Sequence, residues 1–393
     1  MSKSYKRHFT VVALGTIATV GLLEGTRGVL LPRFLDDLAL SKALGGAIFS
    51  ATALGYLASS LSFGLLSQRF GLKRVLGFAA LLLAVAMSAF VTLRTPVLLY
   101  ATAIAVGAAI SATELCTTLP ISMFYQEKQS GILNLLHGFF GAGALSGTFW
   151  AALWLGWGAG WQVPYGLGGL GVLAWGGMFL LLPPLELPRP QAGQGGFGPL
   201  LKDPLVWAAA LSLAVAVAGE VGTTLWLPTF LQKAKGLSER ASSDYLMAFF
   251  AGFTATRLLG TWLVERAGPA RSIVAMAAVG MVSLISLLVL PGAPIVLPVL
   301  AGAGVAIAFA TCTALVATRH SDRVNQVYTI MYSAGGLAGL VTGPLMGWLG
   351  DRAGMTVSML VPLVSYALLI LLMSYYGRAA RSAATRPAAL SQG

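Results

Sequence analysis

Charge is scarce in this chain. Asp, Glu, Lys and Arg together make up 10% of its 393 residues, against about 25% in an ordinary soluble domain. Cysteine is nearly absent: Cys116 and Cys312 both sit inside apolar runs, which reads as small packing residues and excludes a disulfide scaffold. With three histidines, no metal-ligand spacing and no redox motif are present, so no metal and no cofactor is expected. The 48 glycines follow no Gly-X-Y period, which excludes collagen. Extended polar segments are missing too, so no soluble domain of useful size fits.

What the chain has is apolar sequence, 57% of it. A membrane span needs about 20 apolar residues. The hydropathy pattern predicts twelve, over 9–31, 45–66, 75–94, 97–124, 132–156, 163–183, 204–231, 243–264, 272–291, 294–317, 326–347 and 356–376. The expected fold class is therefore an all-α membrane protein. The polar start, Met1 to His8, precedes a run too long for a cleaved signal, so a retained first helix is expected. The longest polar break, 184–203, is rich in Pro and Gly and divides the chain into residues 1–183 and 204–376. Residues 377–393 are expected to be a disordered tail.

The net charge of +12 would suit a nucleic-acid binder if it were concentrated. Instead the basic residues fall in short clusters between apolar runs, so no nucleic-acid partner is expected. Most of the 25 Lys and Arg lie on the side of the N-terminus. By the positive-inside rule both termini are expected in the cytoplasm, with the protein in the cell (inner) membrane among its lipids.

An internal repeat runs through the chain at about half its length. Glu24, Leu31, Pro32, Phe34 and Leu35 recur as Glu220, Leu227, Pro228, Phe230 and Leu231. Arg69, Gly71 and Arg74 recur as Arg266, Gly268 and Arg271, and Cys116, Thr117 and Leu119 as Cys312, Thr313 and Leu315. Gly143 and Gly147 recur as Gly339 and Gly343. Four groups in one order predict a six-helix unit written twice. Parallel repeats of this kind suit a transporter whose halves rock about a central site.

The loop between spans two and three reads Gly64-Leu-Leu-Ser-Gln68-Arg69-Phe-Gly71-Leu-Lys73-Arg74, with a weaker copy at Thr261-Trp-Leu-Val-Glu265-Arg266-Ala-Gly268-Pro-Ala-Arg271. Both resemble the G-x-L-x-D-R-x-G-x-K/R-K/R loop of the major facilitator superfamily. The resemblance implies two pseudo-symmetric six-helix bundles, alternating access, a monomer and no enzymatic activity. It also implies a cytoplasmic gate at Gly64, Gln68, Arg69, Gly71, Arg74, Glu265, Arg266 and Arg271, with Arg257 at the cytoplasmic end of span eight as a further gate or snorkelling residue. Gln68 replaces the family's acidic residue and cannot form an ion pair, so the latch of the first half is expected to be weaker. Within the superfamily, Asn134-Leu-Leu-His137-Gly-Phe-Phe-Gly141-Ala-Gly143, Gly219-Glu220-Val-Gly222 and Arg257-Leu-Leu-Gly260-Thr-Trp262 resemble the fucose and glucose permease branch. That branch carries an acidic residue before its V-L-L-P-x-F stretch. Here Gly28 stands before Val29-Leu-Leu-Pro32-Arg-Phe34, and the nearest carboxylate is Glu24.

An ionisable group at the bilayer centre costs about 2.5–3.5 kcal/mol even on the lenient insertion scale, so such residues should face a cavity or a partner. Glu24 lies eight residues before Pro32, about 12 Å from the external end of its helix. Arg27 is on the same face, and two readings stand: a substrate or coupling carboxylate held by Arg27, or a structural pair within one helix. Glu114 also falls near the midplane, beside Thr117, and its repeat equivalent is Ala310. It is the expected proton-binding group, against the alternative of a hydrogen-bonded structural acid. Glu220 mirrors Glu24 and either lines the cavity or anchors a helix. Asn134 and His137 share a face of span five and would bond a solute hydroxyl, move a proton or brace a neighbouring helix. Trp226 would stack on a sugar ring or simply pack. The glycines around 141–147 and 335–343 read first as close helix packing. Three carboxylates against two arginines suit a neutral solute, so proton-driven uptake of a sugar or similar polyol is expected. Export of drugs or lipophilic cations by exchange with protons is the first alternative, and a non-transporting membrane sensor or scaffold the second.

Overall fold

A computed structural model describes residues 3–92, 94–125, 129–183 and 196–385. These residues are helical almost throughout, with no strand among them. Each predicted span is occupied by helix. The first half contains α1 (Lys3–Asp37), α2 (Lys42–Phe70), α3 (Leu72–Thr92), α4 (Pro96–Phe124), α5 (Gln129–Gly156) and α6 (Gln162–Leu181). After a short α7 (Gly198–Lys202), the second half has α8 (Pro204–Lys235), α9 (Glu239–Ala267), α10 (Pro269–Val289), α11 (Val296–Ala306), α12 (Ala308–Arg319), α13 (Val324–Arg352), α14 (Met355–Ser358) and α15 (Leu360–Thr385). Among the described residues, nine helical stretches are long and apolar enough by composition alone to cross a membrane. Of the other long helices, α9 and α13 carry charged ends and line the interface between halves. Large apolar side chains such as Phe78, Val282 and Leu371 stand more than 60% exposed. Soluble monomers do not present such a surface.

Two boundaries differ from expectation. Helix α1 begins at Lys3, inside the supposed polar leader, because Phe9 and Val12 already pack in the core. Helix α15 runs on to Thr385 rather than ending at 376, since Ala379 and Ala380 pack against the core and the sequence there favours helix. Residues 386–393 of the expected tail, and 184–195 of the expected linker, lie outside the described residues. The tenth span is split: α11 gives way to α12 at Ile307, where the Ala306 carbonyl accepts a hydrogen bond from Arg257 Nε at 2.8 Å. A side chain inserted into the helical ladder is a recognised cause of such a break.

The repeat seen in the sequence is also a repeat of packing. Helix α1 lies on α5 and α6, α2 on α4, and α3 on α4 and α6. In the second half α8 lies on α13 and α15, α9 on α11, and α10 on α11 and α15. The halves meet along two matching seams, α2 on α13 and α5 on α9. Local geometry repeats as well. Ser41 and Ser238 cap α2 and α9, their hydroxyls accepting from the N–H groups of Leu44 and Ala241. Gly71 and Gly268 end the same two helices at φ of 77° and 82°, a conformation glycine adopts without steric cost.

Small residues let the backbones approach. A Cβ on Gly143 would lie 1.9 Å from the Ala18 carbonyl oxygen, and one on Gly25 1.9 Å from that of Ala144, so α1 and α5 pack through glycine on both sides. At the start of α8, Asp203 accepts from the Leu205 N–H at 2.9 Å, Arg319 Nε at 2.6 Å and His320 Nε2 at 3.0 Å. This ties the entry to the second half to the end of α12. Partial burial pushes the Asp203 carboxyl up, but the bonds from Arg319, the Leu205 N–H and His320 outweigh it and hold it below the usual carboxylate range.

Candidate functional site

The mid-depth of the bundle encloses a cavity of about 180 Å³ between the halves. Its polar wall is Glu24 and Arg27 from α1, Glu114 from α4, His137 from α5, Glu220 from α8 and Arg257 from α9. Charge buried at that depth survives only with partners, and each of the carboxyl and guanidinium groups has one. Arg27 Nη1 donates to Glu24 Oε2 at 2.8 Å, one turn apart on α1. Arg257 Nη2 lies 3.6 Å from Glu220 Oε2 across α8 and α9. Glu114 is different: its Oε2 accepts from the Tyr56 hydroxyl at 2.6 Å, and no ion pair reaches it among the described residues.

Arg257 corrects the expectation of a gate residue. It stands ten residues before the end of α9 at Ala267, about 15 Å deep, and only 3% of it is exposed. Besides Glu220 and the Ala306 carbonyl, its guanidinium donates to the His137 carbonyl at 3.2 Å and lies 3.9 Å from the Phe253 ring centroid. It is too deep, and too fully held, to reach the headgroups. The His137 ring packs on Phe309 at 5.1 Å and lines the same cavity.

Three other expected site residues do not line the cavity. The Thr117 hydroxyl is turned back on its own helix, donating to the carbonyls of Thr113 and Glu114, both at 2.9 Å. Trp226 is fully buried against Gly46 of α2 and serves packing between the halves. Asn134 is buried beside Gly260 of α9, on the α5–α9 seam. Nearness along a helix to Glu114, His137 or Glu220 does not fix which way these three side chains point.

The loops of the expected cytoplasmic gate are exposed in this structure. Gln68, Arg69, Arg74, Glu265, Arg266 and Arg271 lie at the surface on the side of the termini. Arg69 covers the Phe70 ring and Arg266 the Trp262 ring, and no described ion pair crosses between the halves there. The ion pairs that do cross are at the opposite end: Arg33 with Glu239, Lys42 with Asp351, and Lys233 with Asp36. Sequence reasoning missed these, and it missed Tyr56. The only signal was indirect: Arg33, Asp36, Lys42, Glu239 and Asp351 flank the ends of apolar runs on one side.

The chain matches the sequence profile of the Major Facilitator Superfamily over residues 13–318 and again over 247–392. It belongs to that superfamily. Among solved structures, the fold is similar to the Escherichia coli fucose:proton symporter FucP, with a TM-score of 0.71 at 18% identity over 93% of this chain and 98% of that one. The nucleoside transporter NupG gives 0.72 at 14% identity over 95% and 99%. A bacterial homologue of the lysosomal transporter Spinster, inward-facing and occupied, gives 0.73 at 14% over 97% and 98%. By sequence the chain is 30% identical over 251 residues to a gallate transporter of Pseudomonas putida, covering 60% of this chain and 53% of that protein. The chain thus aligns with about half the length of that relative.

Proposed function

We propose that this protein takes up a small polar solute by symport with protons, with Glu114 as the proton-binding group. One observation carries the reading. Glu24 and Glu220 are each neutralised by an arginine, whereas Glu114 is held by a neutral phenol. A proton can therefore bind and leave Glu114 without breaking an ion pair. With Glu114 protonated, the two Glu–Arg pairs leave these five groups without net charge, which suits a sugar or similar polyol. The two guanidiniums disfavour a lipophilic cation, so the exporter reading ranks lower. Both termini are taken to be cytoplasmic, from the Lys and Arg bias, and the protein to be a monomer of the cell membrane. Residues 1–183 and 204–376 are the halves that rock about the cavity, joined by 184–203.

A second reading is a small aromatic carboxylate. The Arg27 guanidinium is buried beside Tyr165, with Nη1 committed to Glu24 and Nε and Nη2 aimed away from it. Phe49, Phe140 and Phe250 line the same space. The similarity to a gallate transporter of Pseudomonas putida points the same way.

Uptake into proteoliposomes under an inside-alkaline gradient, with a labelled panel of sugars and hydroxybenzoates, tests both. Gradient-driven accumulation of a sugar, abolished by Glu114→Gln with counterflow retained, is the expected result. Accumulation of a hydroxybenzoate alone would replace the sugar reading with the second. No gradient-driven uptake by folded protein would sink the symport reading.

A further inference from the structure

Glu114 and the contact between the two halves are separated by one side chain, Tyr56. Its hydroxyl donates to Glu114 Oε2 at 2.6 Å, within its own half. Its ring lies flat against Tyr332 of α13 in the other half, centroids 6.4 Å apart and planes within 5°. The α13 backbone is open to it there: a Cβ on Gly336 would come within 3.3 Å of the Tyr56 ring. Tyr332 is itself fixed by Phe309, edge-on at 5.2 Å, and by its hydroxyl's bond to Thr118 at 3.3 Å. One turn further along the same seam Ser60 meets Ser333 at 3.3 Å.

We infer that Tyr56 is a positioning residue through which protonation of Glu114 sets the α2–α13 contact. The inference rests on the reading of Glu114 as the proton site. An ionised Glu114 can only accept, and a hydroxyl-to-carboxylate bond of 2.5–2.7 Å is the strong, charge-assisted kind. It holds the phenol in one place and the ring in register with Tyr332. A proton arriving from the aqueous side on a Glu114 oxygen removes the charge and leaves a neutral bond roughly half as strong. The ring is then free to leave its place on Tyr332, and one of the two seams between the halves loosens. The other groups around Glu114 do not supply this link. Glu24 and Arg27 on α1 are paired with each other, as are Glu220 on α8 and Arg257 on α9. His137 on α5 packs on Phe309. Tyr332 on α13 also bonds Thr118 on α4, one turn from Glu114, a second tie between the halves that does not involve the carboxylate.

The test needs no solute. Spin labels are attached to the full chain at Phe70→Cys and Ala267→Cys, exposed ends of α2 and α9 on the side of the termini. The native Cys116 and Cys312 are buried. Inter-label distances are measured in nanodiscs from pH 5 to 9. Expected: the parent's distance distribution titrates, Glu114→Gln does not, and Tyr56→Phe, which keeps the ring but cuts its bond to Glu114, loses most of the amplitude, what remains having its midpoint moved at least about one pH unit to the alkaline side, tenfold in proton affinity. Tyr332→Leu, which leaves the Tyr56–Glu114 bond but removes the ring, is expected to lose most of the amplitude, whereas Tyr332→Phe, which gives up only the bond to Thr118, is expected to keep it. It decides the question if Tyr56→Phe fails to fold. A Tyr56→Phe curve superimposed on the parent, or full amplitude in Tyr332→Leu, overturns the inference alone. A Glu114→Gln curve like the parent's overturns the proton-site reading beneath it.

Discussion

Arg33 at the end of α1 and Glu239 at the start of α9 form a forked ion pair across the halves. Nε to Oε1 and Nη2 to Oε2 both measure 2.9 Å. Planar two-point pairing is the geometry arginine favours with a carboxylate, and lysine cannot copy it. Close by, Asp351 at the end of α13 accepts from the backbone N–H groups of Lys42 and Ala43 and from Lys42 Nζ. Ion pairs thus join the two halves at the end remote from the termini, where they would close the cavity.

That closure is testable. Both members of the Arg33–Glu239 pair are about a third exposed, so solvent screening limits the pair to about 1 kcal/mol or less. Arg33→Gln is expected to raise external labelling of a cysteine at Phe49, a cavity residue, by up to about fivefold. The exchange Arg33→Glu with Glu239→Arg should restore slow labelling. If labelling in Arg33→Gln stays at the parent rate, the pair is not part of the closure.

Arg257 should behave as a cavity residue and not as a gate residue. Arg257→Lys keeps the charge but loses the reach to the Ala306 and His137 carbonyls. We expect solute counterflow, measured without a pH gradient, to fall at least about tenfold. Removing exposed Arg271 should leave counterflow within about twofold. Equal effects of the two substitutions would place Arg257 back with the surface loops.

Asp203 gives a pH-dependent stability. Its carboxyl titrates below the usual range in the folded protein because Arg319, the Leu205 N–H and His320 bond its charged form. The stabilisation is therefore complete above the unfolded value near 3.9 and is lost as pH falls through the lower folded value. Asp203→Asn should lower the apparent melting temperature at pH 7 by roughly 2 °C, and the difference should shrink below about pH 4. A deficit that is independent of pH would mean the residue acts by packing alone.

Glycine at the α2–α4 contact is predicted to be indispensable for stability. A Cβ on Gly107 would lie 1.7 Å from the Thr52 carbonyl oxygen, an atom of the backbone that cannot swing aside. Gly107→Ala should destabilise by about 1–3 kcal/mol, the usual cost of overpacking. Gly64→Ala meets nothing within 4 Å and should be neutral or slightly stabilising. Thermal unfolding of the two variants side by side decides the matter.

Much of this protein is legible in its sequence, and the reason is the bilayer. A membrane span must satisfy its own backbone hydrogen bonds, so apolar runs of sufficient length leave helix as the outcome. The repeat of Glu24 as Glu220 and of Gly71 as Gly268 announced two copies of one unit. Composition also concentrated attention on the few intramembrane charges. The sequence could have yielded one more signal, the capping serines Ser41 and Ser238, which stand in matching places of the repeat.

Partnership across helices was decided by tertiary structure alone. Nothing in spacing links Tyr56 to Glu114, Arg33 to Glu239 or Arg257 to Glu220, because each pair is formed by helices that meet only after the bundle assembles. Facing was decided there as well: Thr117 turned back on its own helix, Trp226 went into the packing, and Arg257 took a place in the cavity wall. The chain's composition determined how many charges must be buried and roughly how deep. Helix packing determined which of them neutralise one another, and so which carboxylate is left to a phenol.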